Sequence, residues 1–171
     1  MLKTDAQAPA LAVPLLGGGT FDLSAETPRA FTLVLFYRGK HCPLCTKQME
    51  EDVIPNLPNI AEAGLSVVAV SMDTEDRARD QAQDWVEAGL RVGHGMTEAQ
   101  ARDWGLYLST ARSDKEPALF SEPGMTLVRP DGRVYAHWQQ SVPFARPRIA
   151  DLLGTIGFIV DNDYPARGTA A

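Results

Sequence analysis

The sequence predicts an α/β fold, a central mixed β-sheet flanked by helices and entered through an N-terminal β-hairpin. Three observations carry this. Residues 32–37 and 65–71 are apolar runs rich in β-branched and aromatic residues, without polar alternation, as in strands covered on both faces. A helical pattern follows each run. Residues 125–129 and 133–138, joined by Pro130, Asp131 and Gly132, read as an antiparallel hairpin late in the chain. Alternation first and a hairpin last give a mixed sheet with right-handed crossovers in its parallel part.

The elements follow in order. Residues 1–19 form an arm, apolar and proline-containing from Ala8 onward, expected to lie extended against the body. Gly17, Gly18 and Gly19 make a turn, and residues 20–23 a short strand that pairs back on the arm. After the first buried strand, Met49, Val53 and Ile54 fall at helical spacing, and Pro55 and Pro58 should interrupt or kink that helix. Glu50, Glu51 and Asp52 read as a solvated face. Asp73 or Thr74 caps a helix running to about Ala88, and Gly89 stops it. Residues 90–92 make a short strand, and Thr97 with Gln100 fits a capping box. Residues 109–116 read as an exposed loop. A closing helix is expected over residues 145–158, with Ile149, Leu152, Leu153 and Ile156 as its buried stripe, followed by a tail over 161–171.

Bulk properties limit the function classes. At 171 residues, 44% hydrophobic and 22% charged, residues 1–171 are expected to form one domain with a substantial core. The net charge of -6 argues against nucleic acid and against an anionic membrane surface. No apolar run approaches a membrane span. The first residues lack the apolar run of a signal peptide, and two cysteines at redox spacing fit a reducing compartment, so a cytoplasmic location is expected.

The chemistry concentrates on one turn. The first buried strand runs into Arg38, Gly39, Lys40 and His41, then Cys42, Pro43, Leu44 and Cys45. Pro43 suits the first helical position, so Cys42 becomes the N-cap and Cys45 the third helical residue. Unpaired N–H groups and the helix dipole stabilise a thiolate there. Arg38, Lys40 and His41 add cationic character. Three readings remain: a redox dithiol, two small buried hydrophobes, or half of a zinc site. No second Cys-x-x-Cys or paired histidines complete a metal site, and the strand-to-helix context favours the dithiol. His94 and His137 lie far apart without ligand spacing and read as surface or packing residues. The three tryptophans read as core.

These residues carry a resemblance. Over residues 8–158 the chain resembles the thioredoxin fold, and more closely the peroxiredoxin branch, the alkyl hydroperoxide reductase/thiol-specific antioxidant family. Ala8 and Pro9 with Gly18, Gly19 and Thr20 resemble the family's entry hairpin. Phe36, Tyr37, Arg38 and Gly39 resemble its Phe-Tyr-Pro-Gly, and Cys42, Pro43, Leu44 and Cys45 its Thr-Pro-x-Cys. Val68 to Ser71, with Asp73 beyond, resemble its next strand. Arg38 stands where the family has proline, and Cys42 where it has threonine. Glu122, Pro123 and Gly124 stand where it has an arginine before a strand. Cys-Pro-Leu-Cys is also a thioredoxin-type motif. Pro123 lies near the thioredoxin cis-proline, with an ordinary loop proline as the alternative.

The resemblance implies a peroxiredoxin-like thiol oxidoreductase that reduces peroxides through an intramolecular disulfide of Cys45 and Cys42. Cys45 falls on the peroxidatic position and Cys42 resolves; with a disulfide substrate the roles reverse. A protein disulfide reductase and a non-catalytic binding or redox-sensing module are the alternatives. Arg38 is expected beside the Cys45 sulfur, with Arg112, Arg146 and Arg148 as replacements. Pro43, His41 and Pro123 are expected to bind substrate or tune the thiolate. The implied partners are a peroxide or disulfide substrate, a thioredoxin- or glutathione-type reductant and a second copy of the chain. No metal or other cofactor is expected.

Overall fold

The computed structural model describes residues 2–170; Met1 of the expected arm and Ala171 of the expected tail lie outside the described residues. The sheet at its centre begins with β3 (Phe31–Phe36), whose six residues are all buried. β3 pairs in parallel with β4 (Leu65–Val70) on one side and antiparallel with β8 (Gly124–Val128) on the other. β5 (Arg91–Gly93) extends the sheet beyond β4, and β9 (Val134–Gln139) beyond β8, in the order β5-β4-β3-β8-β9. The sheet is therefore mixed, as its alternating and then hairpin-forming sequence predicts. Before it, β1 (Ala12–Pro14) and β2 (Thr20–Asp22) form the entry hairpin.

The period of two along β3 divides the core. Leu33, Leu35 and Tyr37 face one cluster, with Met49, Trp85, Ile149 and both cysteines. Val34 and Phe36 face the other, with Phe21 from the entry hairpin and Trp104. Trp85 and Trp104 are fully buried, whereas Trp138 is only partly covered.

The helices lie between and after these strands. α1 (Pro43–Gln48) leads into a π-helical turn over Met49–Val53 and a 3-10 turn over Ile54–Asn56, then α2 (Leu57–Glu62). The predicted interruption at Pro55 is thus a change of helical pitch rather than a break, because prolines sit at the start of the 3-10 turn and of α2, where a missing N–H is harmless. α3 (Glu75–Glu87) starts at Thr74, whose side chain makes no cap bond; Asp73 bonds elsewhere. α4 (Glu98–Asp103) carries the predicted capping box from Thr97 and Gln100.

Three expectations need correction. Residues 109–116 are not wholly loop: β6 (Leu108–Thr110) pairs with β7 (Leu119–Ser121) in a second hairpin. Its strands are three residues each, too short for a period-two signal. α5 (Ile149–Asp161) begins four residues later than residue 145. Ala145 sits at φ 59, outside the helix, and Pro147 pushes its predecessor away from helical backbone. Finally, the acidic run is not merely solvated. Asp52 accepts the Ile149 N–H at 2.9 Å, holding the start of α5, and Glu50 accepts Trp85 Nε1 at 3.2 Å.

Candidate redox site

The C-terminal end of β3 delivers the chain into a turn, and the turn into α1. Gly39 has φ 113, which a residue with a Cβ resists, and a Cβ there would collide with the Asp73 carboxylate. The Cys42 N–H closes this turn onto the Gly39 carbonyl at 3.0 Å. Cys42 is the N-cap of α1, Pro43 opens the helix, and the Cys45 N–H donates to Cys42 Sγ at 3.3 Å. Both sulfurs are covered, Cys42 being 1% exposed and Cys45 0%. Both are free thiols.

Two donors reach Cys45 from outside the pair. The Arg38 backbone N–H points at its Sγ from 3.4 Å, and Arg146 Nη2 lies 3.2 Å away. The same Nη2 is 3.7 Å from Cys42 Sγ. Arg146 is held in place by its other nitrogens: Nη1 donates to Gln48 Oε1 at 2.6 Å, and Nε to the Pro143 carbonyl at 2.9 Å. It belongs to the link between β9 and α5, so the corrected start of α5 frees it to reach the sulfurs.

The Arg38 side chain goes the other way. Its Nε lies 3.3 Å from Glu122 and its Nη2 3.7 Å from Glu116, and its guanidinium stacks over Phe120 at 4.7 Å. The expected cation beside Cys45 is therefore present, but it is Arg146; Arg38 contributes an amide. The ring of His41 packs on Phe120 at 4.5 Å, and burial, followed by the Arg38 charge, holds its pKa below the ordinary histidine range. That shift favours the neutral ring. The Glu122–Pro123 peptide is trans. The Pro123 carbonyl accepts the Gln140 N–H at 3.1 Å, tying the end of β7 to the end of β9. Arg112 donates its backbone N–H to Glu116, and Arg148 is the N-cap of α5.

The two thiols are shifted in opposite directions. The Cys42 thiol is lowered to about 6, first by the hydrogen bond from the Cys45 thiol, then by the Cys45 amide and Arg146. The Cys45 thiol is pushed up, first by burial and then by the bond it makes to Cys42. These shifts favour the thiolate on Cys42 and the thiol on Cys45. Such a pair can donate one thiolate and then close on itself.

Beside Arg146 a groove of about 430 Å³ runs between α1 and the link from β9 to α5, with Leu44, Gln48 and Phe144 on its walls. Leu44 and Phe144 are exposed there. Among the described residues, no group of three or more His, Cys, Asp or Glu side chains is arranged to hold a metal ion. No described helix is long and apolar enough to cross a membrane. Sequence reasoning ranked Arg146 only as a replacement and missed Gln48 and Glu122. The prolines flanking Arg146, Pro143 and Pro147, were the available sign that this link is extended rather than helical.

Comparison with known proteins bears on the fold and the family. The structure is similar to the peroxidoxin BcpB from Mycobacterium tuberculosis, with 19% identity and a TM-score of 0.73, covering 93% of this chain and 99% of that one. It is similar to AhpC from Mycobacterium bovis, with 14% identity and a TM-score of 0.72, covering 100% of this chain and 99% of that one. The thioredoxin domain of a thiol-disulfide oxidoreductase from Bacteroides vulgatus also matches, with 18% identity and a TM-score of 0.67, covering 94% of this chain and 99% of that one. These likenesses establish a thioredoxin-like fold. No curated protein matches the sequence. A family model described as the AhpC/TSA family matches residues 4–137, a span that holds both cysteines and stops short of Arg146. The chain belongs to the AhpC/TSA family.

Proposed function

We propose that the protein reduces peroxides through the Cys42–Cys45 pair, closing an intramolecular disulfide in each cycle. The observation that carries this reading is one guanidinium, Arg146, in reach of both sulfurs at a helix start. One cation over two thiols favours one thiolate and one thiol, the form that begins an exchange. Attack by a thiolate breaks the O–O bond: the sulfur is oxidised to a sulfenic acid, and the other oxygen takes a proton and leaves as water or an alcohol. The second thiol then displaces the sulfenic hydroxyl, which leaves as water as the S–S bond forms. A dithiol of the thioredoxin type, or two glutathione-type thiols, reduces the disulfide and is itself oxidised. The family resemblance supports Cys45 as the sulfur attacking peroxide, after its proton passes to Cys42. Redox chemistry at this spacing suits a reducing, cytoplasmic setting, and a second copy of the chain is part of the reading as a dimer partner.

One observation favours a second reading. Cys42 is the N-cap of α1 and its thiol is the lowered one, which suits a disulfide reductase in which Cys42 attacks and Cys45 resolves. The experiment measures turnover with hydrogen peroxide, an organic hydroperoxide and a disulfide in parallel, using the wild type, Cys42→Ser and Cys45→Ser. With peroxide, Cys42→Ser should accumulate a sulfenic acid at Cys45, and Cys45→Ser should be nearly inactive. The reverse pattern assigns the attack to Cys42. A wild type inert to all three oxidants leaves a sensing module and overturns both readings.

A further inference from the structure

The Arg38–Cys42 turn is gripped from outside by a single carboxylate. Asp73 lies just past β4 and is 2% exposed. Its Oδ2 accepts the Lys40 N–H at 2.6 Å, and its Oδ1 accepts Arg77 Nε at 2.9 Å. Its own backbone is fixed: the Asp73 N–H lies 3.4 Å from Ser71 Oγ, and its carbonyl accepts the Gly95 N–H at 2.8 Å. Gly39 gives the carboxylate room, since a Cβ there would overlap it. The Lys40 side chain plays no part in this grip, because its Nζ pairs with Asp80 at 2.8 Å.

The two residues before Lys40 hold the dithiol through their backbone. The Arg38 N–H reaches Cys45 Sγ, and the Gly39 carbonyl receives the Cys42 N–H that sets the N-cap. A buried carboxylate is costly unless its charge is met. Arg77 offsets that charge. We propose that Asp73 is a positioning residue of the dithiol: its bond to the Lys40 N–H fixes the turn that aims the Arg38 amide at Cys45 and seats Cys42 as the helix cap. The proposal rests on the dithiol reading above and adds a residue to it.

The charged and titratable groups facing this turn are Tyr37 just past β3, Arg38, Lys40 and His41 of the turn, Arg77 and Asp80 from α3, Glu116 and Glu122, which pair with Arg38, and Arg146 from the link before α5. None is altered in the test, which compares Asp73→Asn, Asp73→Ala and Asp73→Ser in the full chain. The readout is the pH profile of cysteine alkylation, beside the thermal midpoint. Asn keeps an acceptor for the Lys40 N–H, so its profile should stay in place. Ala loses the acceptor, so its profile should move to higher pH, with alkylation about tenfold slower at low pH, the worth of one hydrogen bond to a charged group. Ser keeps a hydroxyl near Arg77 but is too short for the Lys40 N–H. It should follow Ala, and it serves as the test if Ala does not fold. Profiles of Ala and Ser that coincide with the wild type, whatever their thermal midpoints, overturn the proposal. A wild-type profile of an ordinary thiol would instead overturn the dithiol reading itself, so the two failures are distinct.

Discussion

Arg146 and Arg38 divide what a single arginine was expected to do. Arg146 brings the charge to the sulfurs, so Arg146→Met should raise the midpoint of cysteine alkylation by about one pH unit. Below that midpoint the rate should fall about tenfold. Arg38 brings only its amide, which survives substitution. Arg38→Met should leave the midpoint unchanged, yet it strands the buried Glu122 carboxylate and should cost about 3 kcal/mol in a urea melt. An unmoved midpoint in Arg146→Met, or a raised one in Arg38→Met, would return the role to Arg38. The pH dependence has a definite sign. The Cys42 thiol is lowered to about 6, chiefly by the bond from Cys45, so its thiolate is present above that pH and is lost as pH falls through it. Alkylation of the wild type should titrate near that value rather than near the ordinary thiol value of about 8.5.

The link between β9 and α5 is the element where sequence and structure differ most usefully. A helical stripe from Ile149 to Ile156 is plain in the sequence, but its first turn is not, because Ala145 and Arg146 are compatible with a helix by propensity. Pro147 and the Asp52 carboxylate, which takes the Ile149 N–H, move the start downstream. That contact spans the fold and leaves no local trace. Ala145 holds φ 59, a left-handed backbone that glycine adopts freely. Ala145→Gly should therefore stabilise the protein by about 1 kcal/mol in denaturant unfolding. A loss of stability would mean that the link is held differently. The capping box of α4, by contrast, is a local signal and was legible from Thr97 and Gln100 alone. Thr97→Ala should cost about 1 kcal/mol in the same assay.

Across the whole molecule, the buried strands and the turn that follows β3 were readable because their signals lie within single segments: apolar runs, Gly39, and Pro43 between the cysteines. The short β6–β7 hairpin and the partners of Asp73, Glu122 and Arg146 were not, because each joins residues far apart in the chain. The fold brings those partners to the C-terminal end of β3, where open α/β sheets gather their sites. The central claim is that Cys42 and Cys45 cycle between dithiol and disulfide. The most direct measurement treats the reduced protein with one equivalent of hydrogen peroxide, blocks remaining thiols, and determines mass and linkage by mass spectrometry. The expected product is a monomer lacking two hydrogens, with no blocked thiols and a Cys42–Cys45 cross-link in its peptides. A product that keeps both thiols open to blocking, or that carries a stable sulfenic acid on one cysteine with the other free, would contradict it.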